Sequence, residues 1–82
     1  MCYETGRRED THYDNNIDRS LAISAITCQD RCLQEAACKF WMYNVQHWEC
    51  TLKWKLESGP IVGRTTYIHG NKSCPGNMGR GT

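Results

Sequence analysis

Apolar and polar positions follow two different periods along the chain, one before Cys38 and one after it. Residues 24–38 contain no Pro or Gly, and good helix formers follow Ser24, a residue type that caps helix N-termini. Cys28 and Cys32 are four residues apart, so they lie on one face of the predicted helix. Side by side on that face, they are expected to bond to cysteines outside the helix rather than to each other.

After Cys38 the period changes to two, which is typical of β-strands. Residues 39–45 and 49–56 alternate in this way on either side of a polar turn at residues 46–47. They predict a β-hairpin whose inner face carries large side chains (Trp41, Tyr43, Leu52 and Trp54). Phe40 and Met42 lie on the opposite face, where a second, smaller packing layer is expected.

Shorter strands are predicted at residues 2–5 and 65–69, and a polar surface loop at residues 6–16. One helix and several antiparallel strands place the chain in the α+β class.

The composition shows how so small a domain could be stabilised. Only 39% of the 82 residues are hydrophobic, so the core alone gives little stability. Six cysteines, an even number, predict three disulfides formed in an oxidising, extracellular compartment. The alternative, a zinc site, lacks any Cys-x2-Cys pair, and the three histidines are far apart. We therefore predict no metal and no cofactor, and the pairing of the cysteines stays open at this point.

The charge pattern excludes some partners. The net charge is +1, which argues against nucleic acid as a partner, and no apolar run is long enough to insert into a membrane. No signal peptide is recognised at the start of the chain, so we expect a piece of a longer secreted protein. The Gly-rich residues 76–82 are expected to be a linker stub.

The cysteines form a longer pattern with aromatic and basic residues. The first part is Cys28-Gln29-x2-Cys32-x5-Cys38-x2-Trp41-x-Tyr43-Asn44-x5-Cys50-Thr51-Leu52-Lys53, and the second is Tyr67-x2-Gly70-Asn71-Lys72-x-Cys74. This pattern resembles the apple domain of the PAN superfamily, with residues 1–75 as the domain. The resemblance implies one helix packed on a curved antiparallel sheet of about five strands. It also implies three disulfides, which join Cys2 to Cys74, Cys28 to Cys50, and Cys32 to Cys38.

The resemblance also implies a function. Apple domains are non-catalytic recognition modules of plasma contact-phase proenzymes and of apicomplexan microneme adhesins. We expect an extracellular adhesion module that binds a host-cell protein, a plasma protein or a glycan. It would be one unit of a secreted, multi-domain parasite protein stored in micronemes, next to neighbouring apple repeats. The alternatives are an apple domain of an animal plasma protease precursor and a structural spacer that binds nothing.

Enzyme and inhibitor functions have little support in the sequence. No nucleophile and base occur at a recognisable spacing, so we predict no catalytic residue. A protease inhibitor or toxin needs a rigid exposed loop, and the one candidate, at residues 57–63, is not bracketed by cysteines.

Two sets of residues are candidates for ligand binding. Lys53 and Lys55 are expected on the outer face of one strand, with Arg64 and Lys72 nearby, where they could bind a sulfated glycan or an acidic protein surface. The alternative is an ordinary solvated face. Trp48 lies beside the hairpin turn, where an aromatic side chain has no core to fill, and it is the second candidate.

The cysteine pattern gives the first testable prediction. Mass mapping of the non-reduced protein should find no free thiol and should link Cys2 with Cys74, Cys28 with Cys50, and Cys32 with Cys38. A peptide joining Cys28 to Cys32, or bound zinc in place of disulfides, would contradict the assignment.

Overall fold

The computed structural model describes residues 3–8, 13–56, 59–62 and 66–72. These residues form one α-helix, α1 (Ala25–Gln34), a 3-10 helix (Tyr13–Asn15) and seven strands. The strands are β1 (Tyr3–Thr5), β2 (Arg7–Arg8), β3 (Asn16–Leu21), β4 (Phe40–Asn44), β5 (Glu49–Lys53), β6 (Ile61–Val62) and β7 (Tyr67–Asn71). Five of them form an antiparallel sheet in the order β1-β7-β4-β5-β3, and β2 pairs with β6. The predicted α+β class, with one helix and about five strands in the sheet, is confirmed.

Helix α1 begins where the sequence predicted. Ser24 has an extended backbone, and its Oγ accepts a hydrogen bond of 3.1 Å from the backbone N–H of Thr27. The helix ends at Gln34, earlier than the Pro-free segment allows. Glu35 is already extended, and its N–H donates to the carbonyl of Arg31 at 3.1 Å. The early end lets the chain turn back so that Cys38 reaches Cys32.

Two disulfides attach α1 to the rest of the domain. Cys28 is bonded to Cys50 on β5, and Cys32 is bonded to Cys38 just before β4. All four cysteines are fully buried. These are two of the three pairings that the resemblance implied. The third, between Cys2 and Cys74, lies outside the described residues, as does the predicted linker at residues 76–82.

The main core lies between α1 and the inner face of the sheet. Trp41 and Tyr43 of β4 point into it as predicted, and Leu52 packs beside them. The Tyr43 hydroxyl donates to the carbonyl of Ala22 at 2.8 Å, so this buried polar group has a partner. Gly70 on β7 is paired with Trp41 and leaves room for its indole ring.

The prediction for Trp54 is wrong. Strand β5 ends at Lys53, so the alternation that would have turned Trp54 inward stops one residue too early. The Trp54 side chain is 48% exposed, and its indole N–H donates to the carbonyl of Asp14 at 3.2 Å. The side chain therefore lies beside the 3-10 helix rather than in the core.

The outer face of the sheet is also buried at its centre. Phe40 and Met42 form the second packing layer that the sequence predicted, and the ring of His69 stacks on Phe40 with centroids 5.5 Å apart. A ring nitrogen of His69, Nδ1, lies 2.8 Å from the carbonyl oxygen of Gly6. The chain that follows β1 therefore covers part of this face.

The prediction of an exposed Lys53 is wrong. Lys53 points to the outer face, as the alternation required, but its side chain is only 1% exposed. The Nζ atom donates to Oδ1 of Asn16 at 2.6 Å, so a polar partner offsets part of the cost of burying the charge.

The strands at the start of the chain differ most from the prediction. The expected loop at residues 6–16 contains β2 and the 3-10 helix, and β3 follows directly. Strand β3 is an edge strand with exposed charged side chains, and it was not predicted. The last strand is displaced by two residues, to Tyr67–Asn71.

The close packing of Gly70 against Trp41 gives a test of the core. A Cβ atom at position 70 would lie 3.0 Å from Cζ2 of Trp41, and this ring is fully buried in a closely packed core, so it would have to shift to make room. We expect Gly70→Ala to lower the free energy of unfolding by about 1–3 kcal/mol, the range for overpacked cores. Urea unfolding with the disulfides intact measures the change. An unchanged midpoint would show that the indole ring shifts without cost.

Candidate functional site

Trp48 closes the turn between β4 and β5. The side chain of Asn44 organises this turn, since its Oδ1 accepts from the backbone N–H of Gln46 at 2.9 Å and of His47 at 3.3 Å. Trp48 has a φ of 57°, in the left-handed region that glycine and asparagine normally occupy. Its side chain is 63% exposed, as the sequence predicted. A bulky aromatic residue is therefore held in an unfavourable backbone conformation at the surface.

The turn is attached to the chain between β3 and α1. The carbonyl of Trp48 accepts a hydrogen bond of 2.8 Å from the N–H of Ala22. On either side of Ala22, the Leu21 side chain is 70% exposed and the Ile23 side chain 86% exposed. Two further aliphatic side chains thus stand at the surface near the indole ring.

Together these residues form a groove of about 400 Å³, named here the Trp48 groove. Its lining consists of Leu21, Ala22, Ile23, Thr27, Arg31 and Trp48. The lining has two polar side chains, and each already makes a hydrogen bond within the domain. Nη1 of Arg31 donates to the carbonyl of Leu21 at 2.6 Å, and the Thr27 hydroxyl lies 3.0 Å from that of Ser24. The groove therefore offers mainly apolar surface.

The predicted basic cluster is only partly at the surface. Lys55 is exposed and Lys72 is half-buried, whereas Lys53 is buried and bonded to Asn16. Arg64 lies outside the described residues. Ligand binding by Lys55 and Lys72 stays a prediction.

A second groove, named here the Lys39 groove, has a volume of about 430 Å³. It is lined by Leu33, Lys39, Leu56, Asn71 and Lys72. Only Lys72 was a candidate from the sequence. The other residues belong to separate elements with no shared spacing, so no sequence pattern indicates that they meet.

Two kinds of feature were not found among the described residues, a cluster of metal ligands and a membrane-spanning helix. Among them, no three His, Cys, Asp or Glu side chains are grouped so that they could hold a metal ion. The helix of this part of the chain is too short and too polar to cross a membrane.

Comparison with known proteins found a matching family model and similar solved structures. The family model of the PAN domain matches residues 2–74. The solution structure of a PAN module from Eimeria tenella has a TM-score of 0.62 and 24% sequence identity, and the alignment covers 90% of this chain and 81% of that one. At this identity the likeness shows the fold alone. No curated protein sequence matches.

The backbone at Trp48 gives a direct test of strain. Glycine adopts a φ of 57° freely, whereas the Cβ atom of alanine destabilises this left-handed conformation by about 1 kcal/mol. We therefore expect Trp48→Gly to be more stable than Trp48→Ala by about 1 kcal/mol. Urea unfolding of the two oxidised variants measures the difference. A more stable alanine variant would show that the turn carries no strain at this residue.

Proposed function

Because the chain belongs to the PAN domain family, we propose that it is an extracellular recognition module that binds a protein through the Trp48 groove. PAN domains are binding modules, and the buried disulfides fit an oxidising compartment. The finer setting that we propose is one unit of a multi-domain secreted protein, such as a parasite microneme adhesin. The resemblance to apple domains supports this setting.

The single observation that carries the proposal is the exposed, strained Trp48. Its φ of 57° costs about 1 kcal/mol relative to glycine, and a side chain that is 63% exposed recovers little of this through packing. Folding alone would favour glycine or asparagine here. Exposed tryptophans with aliphatic neighbours are typical of the centres of protein interfaces.

The composition of the groove favours a protein over a glycan. A sugar needs several polar side chains around the aromatic ring to replace its hydrogen bonds with water. Here the ring is flanked by the apolar side chains of Leu21 and Ile23. The polar lining is limited to Arg31 and Thr27, and each already makes a hydrogen bond within the domain. Apolar side chains of a protein match this surface better.

A binding assay with matched variants tests the function. Biotinylated domain is applied to cultured vertebrate cells and, separately, to a glycan array, and bound domain is quantified by fluorescence. We expect saturable binding to cells that is lost after mild protease treatment of the cell surface. Trp48→Gly should weaken this binding by about tenfold or more, as for a central interface residue.

Trp54→Ala is the matched control, because Trp54 is also an exposed tryptophan but does not line the groove. It should bind like the wild type. If binding survives protease treatment and is also seen on the glycan array, the partner is a glycan and not a protein. A wild-type domain that binds neither surface would favour the spacer function, and equal loss in both variants would argue against the Trp48 groove.

A further inference from the structure

The two grooves lie on opposite flanks of α1. Cys28 and Cys32 point toward the sheet. Successive residues of a helix are rotated by about 100°, so Thr27 and Arg31 lie to one side of the cysteines and Leu33 lies to the other. The Lys39 groove is therefore a separate surface, and it shares no lining residue with the Trp48 groove.

The floor of the Lys39 groove is apolar and open to solvent. Leu33 is 44% exposed and Leu56 is 50% exposed, although neither fills the core. They come from the end of α1 and from the chain after β5, with Asn71 at the end of β7 completing the lining. The floor can cover an apolar side chain, whereas a groove this open cannot enclose a long acyl chain.

Two lysines add positive charge to this groove. Lys39 is exposed, and no described residue forms an ion pair with it. Nζ of Lys72 donates to the backbone carbonyl of Glu35 at 2.8 Å, which stabilises the C-terminal end of α1 and leaves further N–H groups for a ligand. The carboxylate of Glu35 accepts from the N–H of Ala37 at 3.2 Å. The surface thus offers ammonium groups around an apolar floor.

We propose that the Lys39 groove is a second binding site, which takes an extended acidic segment of a partner protein. An apolar side chain of the segment would cover Leu33 and Leu56, and carboxylates on either side of it would meet Lys39 and Lys72. In an extended chain every second side chain points to the same face, so the matching pattern is acid-x-apolar-x-acid. A sulfated glycan matches the charge but has no apolar group for the floor.

A defined peptide tests the site. The ¹⁵N-labelled 82-residue domain is titrated at low salt with acetyl-Gly-Asp-Ser-Leu-Ser-Asp-Gly-amide, and amide shifts are followed by NMR. Saturable shifts are expected at the residues of the groove. Replacing both Asp residues by Asn, or the Leu by Ser, should abolish them, because the site needs charge and apolar contact together.

Variants of the domain separate this groove from general electrostatic attraction. Lys39→Glu should raise the Kd for the peptide by about tenfold, because it exchanges an attractive charge for a repulsive one. Lys55→Glu makes the same change at an exposed lysine outside the lining and should alter the Kd by less than about twofold. Leu56→Ser should weaken binding without any change of charge.

Several results would overturn the proposal. If Lys39→Glu and Lys55→Glu raise the Kd for the peptide equally, or if the Asn peptide binds as tightly as the Asp peptide, the groove has no specific site for an acidic segment. If the domain binds phosphatidylserine vesicles through Lys39 but does not bind the peptide, the Lys39 groove is a membrane contact instead. Trp48→Gly should leave the peptide titration unchanged, so failure here is distinguishable from failure of the Trp48 groove.

Discussion

The four-residue spacing of Cys28 and Cys32 determines how α1 lies on the sheet. Both side chains leave the helix on one face, and each is bonded to a different part of the domain, at Cys50 and at Cys38. The longer loop, with a separation of 22 residues, contributes about 3 kcal/mol by constraining the unfolded chain. Because this face is fixed toward β4 and β5, the two flanks of the helix are left free to form grooves.

Much of this architecture could be predicted from the sequence because apolar and polar residues alternate clearly, with a helical period before Cys38 and a strand period after it. The cap at Ser24, the hairpin and the inward Trp41 and Tyr43 follow from local patterns, and the family resemblance added the disulfide pairing. Strand β3 could not be predicted, since it is an edge strand that pairs through its backbone while charged residues such as Asp18 and Arg19 face solvent. Alternation placed Lys53 on the correct face but could not show that its side chain is buried there, with Nζ bonded to Asn16.

The candidate sites were predictable only where one residue carries the signal. Trp48 stands out in the sequence because a tryptophan beside a polar turn has no core to enter. Leu21 and Ile23 do not stand out in the sequence. They lie beside the ring because Ala22, between them, is hydrogen-bonded to the turn. Lys39 is equally inconspicuous. It becomes a candidate binding residue only because Leu33 and Leu56, which belong to other elements, line the same groove.

The separation of the two grooves has a consequence for affinity. Each is small, so a single contact on either flank has limited area to bury and would be weak by itself. The core depends on the buried face of α1 and not on the exposed side chains of the grooves, so those side chains can change at little cost in stability. Linked copies of such a domain would bind far more tightly than one, because the second contact benefits from a high effective concentration. A disulfide-bonded frame whose core does not depend on the exposed groove side chains would therefore suit recognition through several weak contacts.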